Sequence, residues 1–112
     1  IKCALDRTGI GAFAELKIRQ FSAGMKKRLD LTKVILAQPQ LLLLDEPYNA
    51  LDHSGVAITN QLIQETLDRS GTVFMTTHDR DKATQIATRG GILQGGHFQL
   101  LSPEQFTTDA IF

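Results

Sequence analysis

Apolar residues along these 112 residues are spaced in two ways, and the spacing assigns the elements. Ile1, Ala4 and Leu5 begin a short helical pattern that stops at Gly9 and Gly11. From Ser22 the pattern changes. Met25, Leu29 and Leu36 fall at helical spacing, Leu31, Val34 and Ile35 widen the stripe, Ser22 stands where an N-cap belongs, and Pro39 closes the segment. Leu41 to Leu44 is too short for a helix and continuously apolar, which predicts a strand buried on both faces, as in a parallel sheet. Tyr48 to His53 reads as a loop. Ser54 to Ser70 reads as a second long helix with Ile58, Leu62, Ile63 and Leu67 inward, ended by Gly71. Thr72 to Thr77 is β-branched and aromatic, a second buried strand. Asp79 to Thr88 follows as a third helix. Ile92-Leu93 and Phe98-Gln99-Leu100 flank Gly95-Gly96, the pattern of a hairpin. Ser102-Pro103-Glu104-Gln105 is a capping box with Pro at the first helical position, opening a short final helix.

Strands alternating with helices define an α/β chain with a parallel sheet, and in such sheets ligands sit beyond the carboxyl ends of the strands. The residues to weigh there follow Leu44 and Thr77. Asp45 and Glu46 put two adjacent carboxylates at the end of an apolar strand, which is costly unless a cation compensates. A water-bridged Mg²⁺ at Asp45, with Glu46 orienting and deprotonating a water, is one reading; a plain Asp-Glu loop start is the other. His78 can bond a phosphate oxygen or an attacking water, or be an ordinary loop histidine. At Phe21-Ser22-Ala23-Gly24-Met25, a helix start with small residues offers N–H groups and a positive dipole end to an anion. The same residues also make a simple N-cap.

Composition narrows the field. Twelve basic and twelve acidic side chains give zero net charge, which argues against nucleic acid as a partner. Cys3 is the single cysteine, so a disulfide within the chain or a cysteine zinc site is excluded, and a small buried or half-buried side chain is expected there. No run approaches the roughly 20 apolar residues of a membrane span, and no leader pattern is visible. Gly9 to Ala14 fits G-x-G-x-x-A but follows a helical pattern instead of a strand. His53, His78 and His97 match no zinc spacing. Lys26-Lys27-Arg28 reads as a solvated helix face.

Taken in order, Phe21 to Leu29, Leu41 to Pro47, Asn49-Ala50-Leu51-Asp52 and Thr76-Thr77-His78-Asp79 resemble the nucleotide-binding domain of ABC (ATP-binding cassette) transporters. Phe21 to Met25 is similar to the family's signature motif, Leu41 to Glu46 to Walker B with its catalytic Glu, Asn49 to Asp52 to the D-loop, and His78 to the switch histidine. The resemblance implies that two such domains sandwich two ATP molecules. Ser22 and Gly24, within the Ser22-Ala23-Gly24-Met25 stretch, would then contact the γ-phosphate held by the partner domain. Asp45 would hold Mg²⁺ through water, Glu46 would be the general base, His78 would position the water, and Asp52 would couple the two sites. Ala23 and Met25 depart from the usual Gly and Gln, and Asn49 from Ser. The Phe-Ser-x-Gly-Met form resembles exporters, including the haem-exporter type, more than importers.

The same resemblance implies a partial P-loop NTPase domain over 1–112. Residues 1–40 would end the helical subdomain and 41–112 would form the C-terminal part of the catalytic core. Partners would be a transmembrane permease and a second nucleotide-binding domain, at the cytoplasmic face of a membrane. No G-x-x-x-x-G-K-[ST] phosphate loop stands in these residues. The chain, starting at Ile1, is therefore expected to be the C-terminal part of a longer domain, inactive alone. The competing readings are a soluble ATPase of the DNA-repair or translation-factor branch and a non-catalytic split half.

Overall fold

The computed structural model describes residues 1–107, in two units that part between Thr76 and Thr77. In the first unit, α1 (Lys2–Arg7) leads through short 3-10 turns at Gly11–Phe13 and Ile18–Gln20 into α2 (Ala23–Ala37). Then come β1 (Leu41–Asp45), α3 (His53–Asp68) and β2 (Thr72–Thr76). β1 and β2 pair in parallel, Leu41 opposite Thr72 and Asp45 opposite Thr76, with α3 as the crossover. The α/β class and the parallel pair are as the alternating pattern predicts.

Ser22 caps α2 as expected, its Oγ accepting from the Met25 N–H at 3.1 Å. Gln38 closes the helix in the left-handed conformation ahead of Pro39. The start of α3 differs from expectation. Asp52, not a residue at the Ser54 end, is the cap, its Oδ1 accepting from the Gly55 N–H at 2.9 Å. The carboxylate outcompetes the hydroxyl because a charged acceptor makes the stronger bond to a helix N-terminus.

The core of this unit gathers Ile10, Leu31, Leu42, Tyr48, Leu62 and Ile63. Threonines do part of the filling. Thr59 and Thr66 are fully buried on α3 and return their hydroxyls to the carbonyls of Gly55 and Leu62 at 2.9 and 2.8 Å. Thr8 and Thr32 bond each other at 2.7 Å between α1 and α2. Arg7 pairs with Glu65, tying α1 to α3.

Several expected inward positions point outward. Leu36 and Leu67 are exposed; Leu31 with Thr32, and Thr59 with Thr66, hold the buried stripes instead. The strands are not buried on both faces. Leu42, Leu44, Val73 and Met75 share the covered face, whereas Leu41, Leu43 and Phe74 are 58%, 67% and 60% exposed on the other. A pair of strands carrying its crossover helix on one side covers only that side. Cys3 is exposed on α1, against the expected burial, because Ala4 faces inward beside it.

The second unit holds α4 (Arg80–Ile86), the antiparallel hairpin β3 (Gly91–Gln94) and β4 (His97–Leu100), and α5 (Pro103–Thr107). Asp79 caps α4 through the Lys82 N–H at 3.1 Å. The helix is shorter than the predicted 79–88 because Ala87 is already extended. Gly95 and Gly96, at φ +56 and +79, make the tight turn that the sequence predicts. The capping box is complete: Gln105 N–H donates to Ser102 Oγ at 3.2 Å and Ser102 N–H to Gln105 Oε1 at 3.1 Å. Residues 108–112, the end of the expected 41–112 segment, lie outside the described residues.

Replacing Leu62 with Ala removes a buried side chain from the first unit and is expected to cost about 2–5 kcal/mol. Leu67→Ala, at an exposed position of the same helix, is expected to cost less than about 1 kcal/mol. Urea denaturation of both variants checks the assignment; equal losses would contradict it.

Candidate functional site

The candidate residues collect at two places in the first unit. At the first, β1 and β2 end side by side, so Asp45 and Thr76 face the same way and Thr76 Oγ1 donates to Asp45 Oδ1. Glu46, the next residue, adopts φ +44, a left-handed conformation uncommon for a residue with a Cβ. Such a residue costs about 1–3 kcal/mol and persists where its surroundings fix it. Here the Glu46 N–H donates to the Thr76 carbonyl at 3.1 Å, and the Asn49 N–H donates to the Glu46 carbonyl at 3.2 Å. Lys27, on α2, donates from Nζ to the Asp45 carbonyl at 3.3 Å. Asp45 is exposed and Glu46 half-buried.

The second place is a cavity of about 470 Å³ between the start of α2 and the loop before α3, lined among others by Ser22, Gly24, Met25, Arg28, Ala50 and Asp52. Ser22 and Ala23 are exposed, and Gly24 and Met25 half-buried. The Ser22 hydroxyl accepts from Met25, which leaves its own hydrogen for another acceptor. Gly24 is small for a reason the sequence does not show: a Cβ there would stand 2.9 Å from the carbonyl oxygen of Ala50. The helix start and the loop are therefore in close backbone contact.

Arg28 joins them. Its Nη1 donates to the Thr8 carbonyl at 2.7 Å, and its Nη2 donates to Asp52 Oδ1 at 2.5 Å and Ser54 Oγ at 2.7 Å. The arginine side chain is only 15% exposed although its carboxylate partner is 68% exposed. Arg28 is thus not part of the solvated basic face read from Lys26-Lys27-Arg28. The Asp52 carboxyl is held below its ordinary pKa, first by the Gly55 N–H, which outweighs the opposing effect of desolvation, and further by the Ser54 hydroxyl and the Arg28 guanidinium.

His78 opens the second unit, exposed, beside Asp79. Asp79 is likewise held below its ordinary pKa, by the Lys82 ammonium and the Lys82 N–H. No group of three or more His, Cys, Asp or Glu able to hold a metal is found among the described residues.

Sequence reasoning missed Arg28, Lys27 and Thr76. Thr76 was within reach: setting the two apolar runs in parallel register puts it opposite Asp45. Arg28 and Lys27 act across 24 and 18 residues of sequence, and a helix pattern carries no signal of such partners.

The first unit is thus an α/β unit with carboxylates at the end of a parallel strand and a helix start packed on the following loop. The ABC transporter family model matches residues 1–49. The chain is 37% identical over 78 residues to YybJ of Bacillus subtilis (strain 168), an uncharacterized ABC transporter ATP-binding protein, covering 70% of this chain and 36% of that one. It is 40% identical over 97 residues to the bicarbonate transport ATP-binding protein CmpD of Synechococcus elongatus, covering 82% and 34%. With the cytochrome c biogenesis ATP-binding export protein CcmA of Xanthomonas oryzae pv. oryzae it shares 38% identity over 86 residues, covering 77% and 40%. Among solved structures, an ABC transporter described as of metal-chelate type, in an inward-facing conformation, superposes with a TM-score of 0.70 at 26% identity, over 92% of this chain and 41% of that one. The chain is similar in sequence and fold to the ATP-binding domains of ABC transporters, and its matches span 34% to 40% of the length of these curated relatives. No helix among the described residues is long and apolar enough to cross a membrane.

The depressed Asp52 pKa makes a stability prediction. Its contribution is fully present above the unfolded value near 4 and is lost as pH falls through the lower folded value. Asn caps about as well as Asp, so Asp52→Asn should keep α3 but flatten the acid limb. Denaturation midpoints from pH 7 down to pH 3 check this: wild type should lose stability relative to the variant only at the acid end.

Proposed function

We propose that these residues form the signature-to-switch part of an ATP-hydrolysing subunit that powers a membrane permease. The observation that carries this reading is the end of the parallel strand pair, where Asp45, Glu46 and Thr76 stand together with the Glu46 backbone held in an unusual conformation. In this reading residues 1–40 close the helical subdomain and 41–112 belong to the catalytic core. Asp45 would hold Mg²⁺ through water. An exposed carboxylate with a threonine hydroxyl beside it fits a hard cation that takes the rest of its shell from water and phosphate oxygens. The ion would neutralise phosphate charge. Glu46 accepts the proton of the attacking water, and His78 orients that water.

Ser22, Ala23, Gly24 and Met25 meet the γ-phosphate of an ATP carried by a second nucleotide-binding domain, and Asp52 couples the two sites. The Ser22 hydroxyl hydrogen and the α2 N-terminus supply donors there. The phosphate cradle for the chain's own Asp45 and Glu46 comes from sequence beyond these 112 residues, since no G-x-x-x-x-G-K-[ST] string lies within them. The protein acts at the cytoplasmic face, bound to the permease, and the permease sets the cargo. Relatives of similar identity are named for bicarbonate transport and for export in cytochrome c biogenesis. The Phe-Ser-x-Gly-Met form supports the export direction.

Two outcomes are expected. The 112-residue chain alone shows no saturable MgATP binding in equilibrium dialysis; micromolar stoichiometric binding would overturn the split of the site. In the complete protein with its membrane partner, Glu46→Gln lowers kcat by about 10²- to 10⁴-fold and leaves nucleotide binding in place. Undiminished hydrolysis in that variant would remove Glu46 as the base.

A further inference from the structure

One side chain in the first unit makes contacts out of proportion to its place in the sequence. Arg28 sits in the second turn of α2 and reaches the end of α1, the loop before α3 and the first turn of α3 through Thr8, Asp52 and Ser54. A guanidinium is planar and presents its donors in a fixed fork, so satisfying these acceptors at once fixes their relative positions. Its burial keeps the fork from being shared with solvent. Asp52 is held from the other side by its own helix, through the Gly55 N–H. One carboxylate oxygen is therefore tied to α2 and α3 together.

We propose that Arg28 is a positioning residue that locks the 47–52 loop against the start of α2, so that Ser22 and Asp52 keep one spacing across the cavity between them. The lock does not touch nucleotide. It acts through Asp52, and its bearing on turnover rests on the functional reading above. The close approach of Gly24 to the Ala50 carbonyl adds a steric stop at the same junction: Arg28 draws the loop in and Gly24 sets how near it comes. Lysine is a poor substitute, because a single ammonium at the end of a flexible stem does not span acceptors on three segments.

The test uses the complete protein with its permease, and compares wild type, Arg28→Gln, Arg28→Lys, Asp52→Asn and the Arg28→Gln/Asp52→Asn double variant. Lys33→Gln on the exposed side of the same helix is the control. Amide hydrogen exchange reads the lock independently of turnover: Arg28→Gln should speed exchange in residues 50–56 while the core of α3 stays as in wild type. Displacing a positioning group by about 1 Å costs up to about a hundredfold, so kcat should fall tenfold to a hundredfold with KM within about twofold, Arg28→Lys should restore only part of the loss, and the double variant should be no worse than either single one. Faster exchange throughout the first unit, a melting temperature falling in step with kcat, or additive losses would reduce Arg28 to a stabilising contact and overturn the proposal. Unchanged exchange and kcat in Arg28→Gln would do the same. If Arg28→Gln does not fold, Asp52→Asn with and without Arg28→Lys decides by the same additivity. If wild type hydrolyses no ATP, the functional reading falls, and the exchange experiment still decides whether the lock exists.

Discussion

The first unit is organised around a charge that has been taken mostly out of water. Removing a guanidinium from solvent is unfavourable unless its donors are met by well-placed acceptors, one of them anionic. The sequence meets that condition with a helix-end carbonyl, a capping carboxylate and a hydroxyl, drawn from segments that are far apart along the chain and share no strand pairing. Most apolar contacts in this unit fix how elements pack and are non-directional. The Arg28 fork fixes where a loop of irregular backbone lies, which apolar packing does poorly. The rest of the cavity follows: Gly24 against Ala50, and Met25 and Ser22 at the rim.

A second constraint acts at the strand ends. A parallel pair in register brings the last residues of both strands to one level, and the chain must leave there without losing its backbone hydrogen bonds. Glu46 does so by turning left-handed while its N–H bonds across to Thr76. The side chain that the functional reading makes a base is thus set by the backbone of the neighbouring strand, and the carboxylate before it by that strand's hydroxyl. Lys27 reaches the same turn from α2, so the helix that starts at the cavity also touches the end of β1. The two candidate places are linked through a single rigid helix.

How much of this was legible depends on the range of each interaction. Ser22 and Ser102 could be placed from the sequence because a cap acts across three residues, and the Gly95-Gly96 turn because it is set by its own backbone preference. The parallel strands followed from the alternation of patterns. Leu36 and Leu67 misled because helix periodicity gives a stripe without saying which edge of it meets the neighbour. Thr32, Thr59 and Thr66 took the inward places, their hydroxyls satisfied within their own helices or by Thr8, at no cost in unpaired polar atoms. Leu41 and Leu43 misled in another way. A leucine run carries the same signal whether one face is covered or both, and only the count of packed layers decides it. The cap of α3 was missed because Asp52 and Ser54 both stand at the start of the helix, and the pattern of apolar positions does not say that the charged acceptor takes the place.

The contact between Gly24 and Ala50 has a consequence for how these positions can vary. Most tight contacts in proteins are between side chains, and a larger residue on one side can be offset by a smaller one on the other. Here the atom met is a carbonyl oxygen, which every residue type at position 50 would carry. No exchange at 50 makes room for a Cβ at 24. The tightest approach between the helix start and the loop is therefore one that no change of side chain at position 50 can relieve, and position 50 is itself confined by its left-handed backbone, at φ +61.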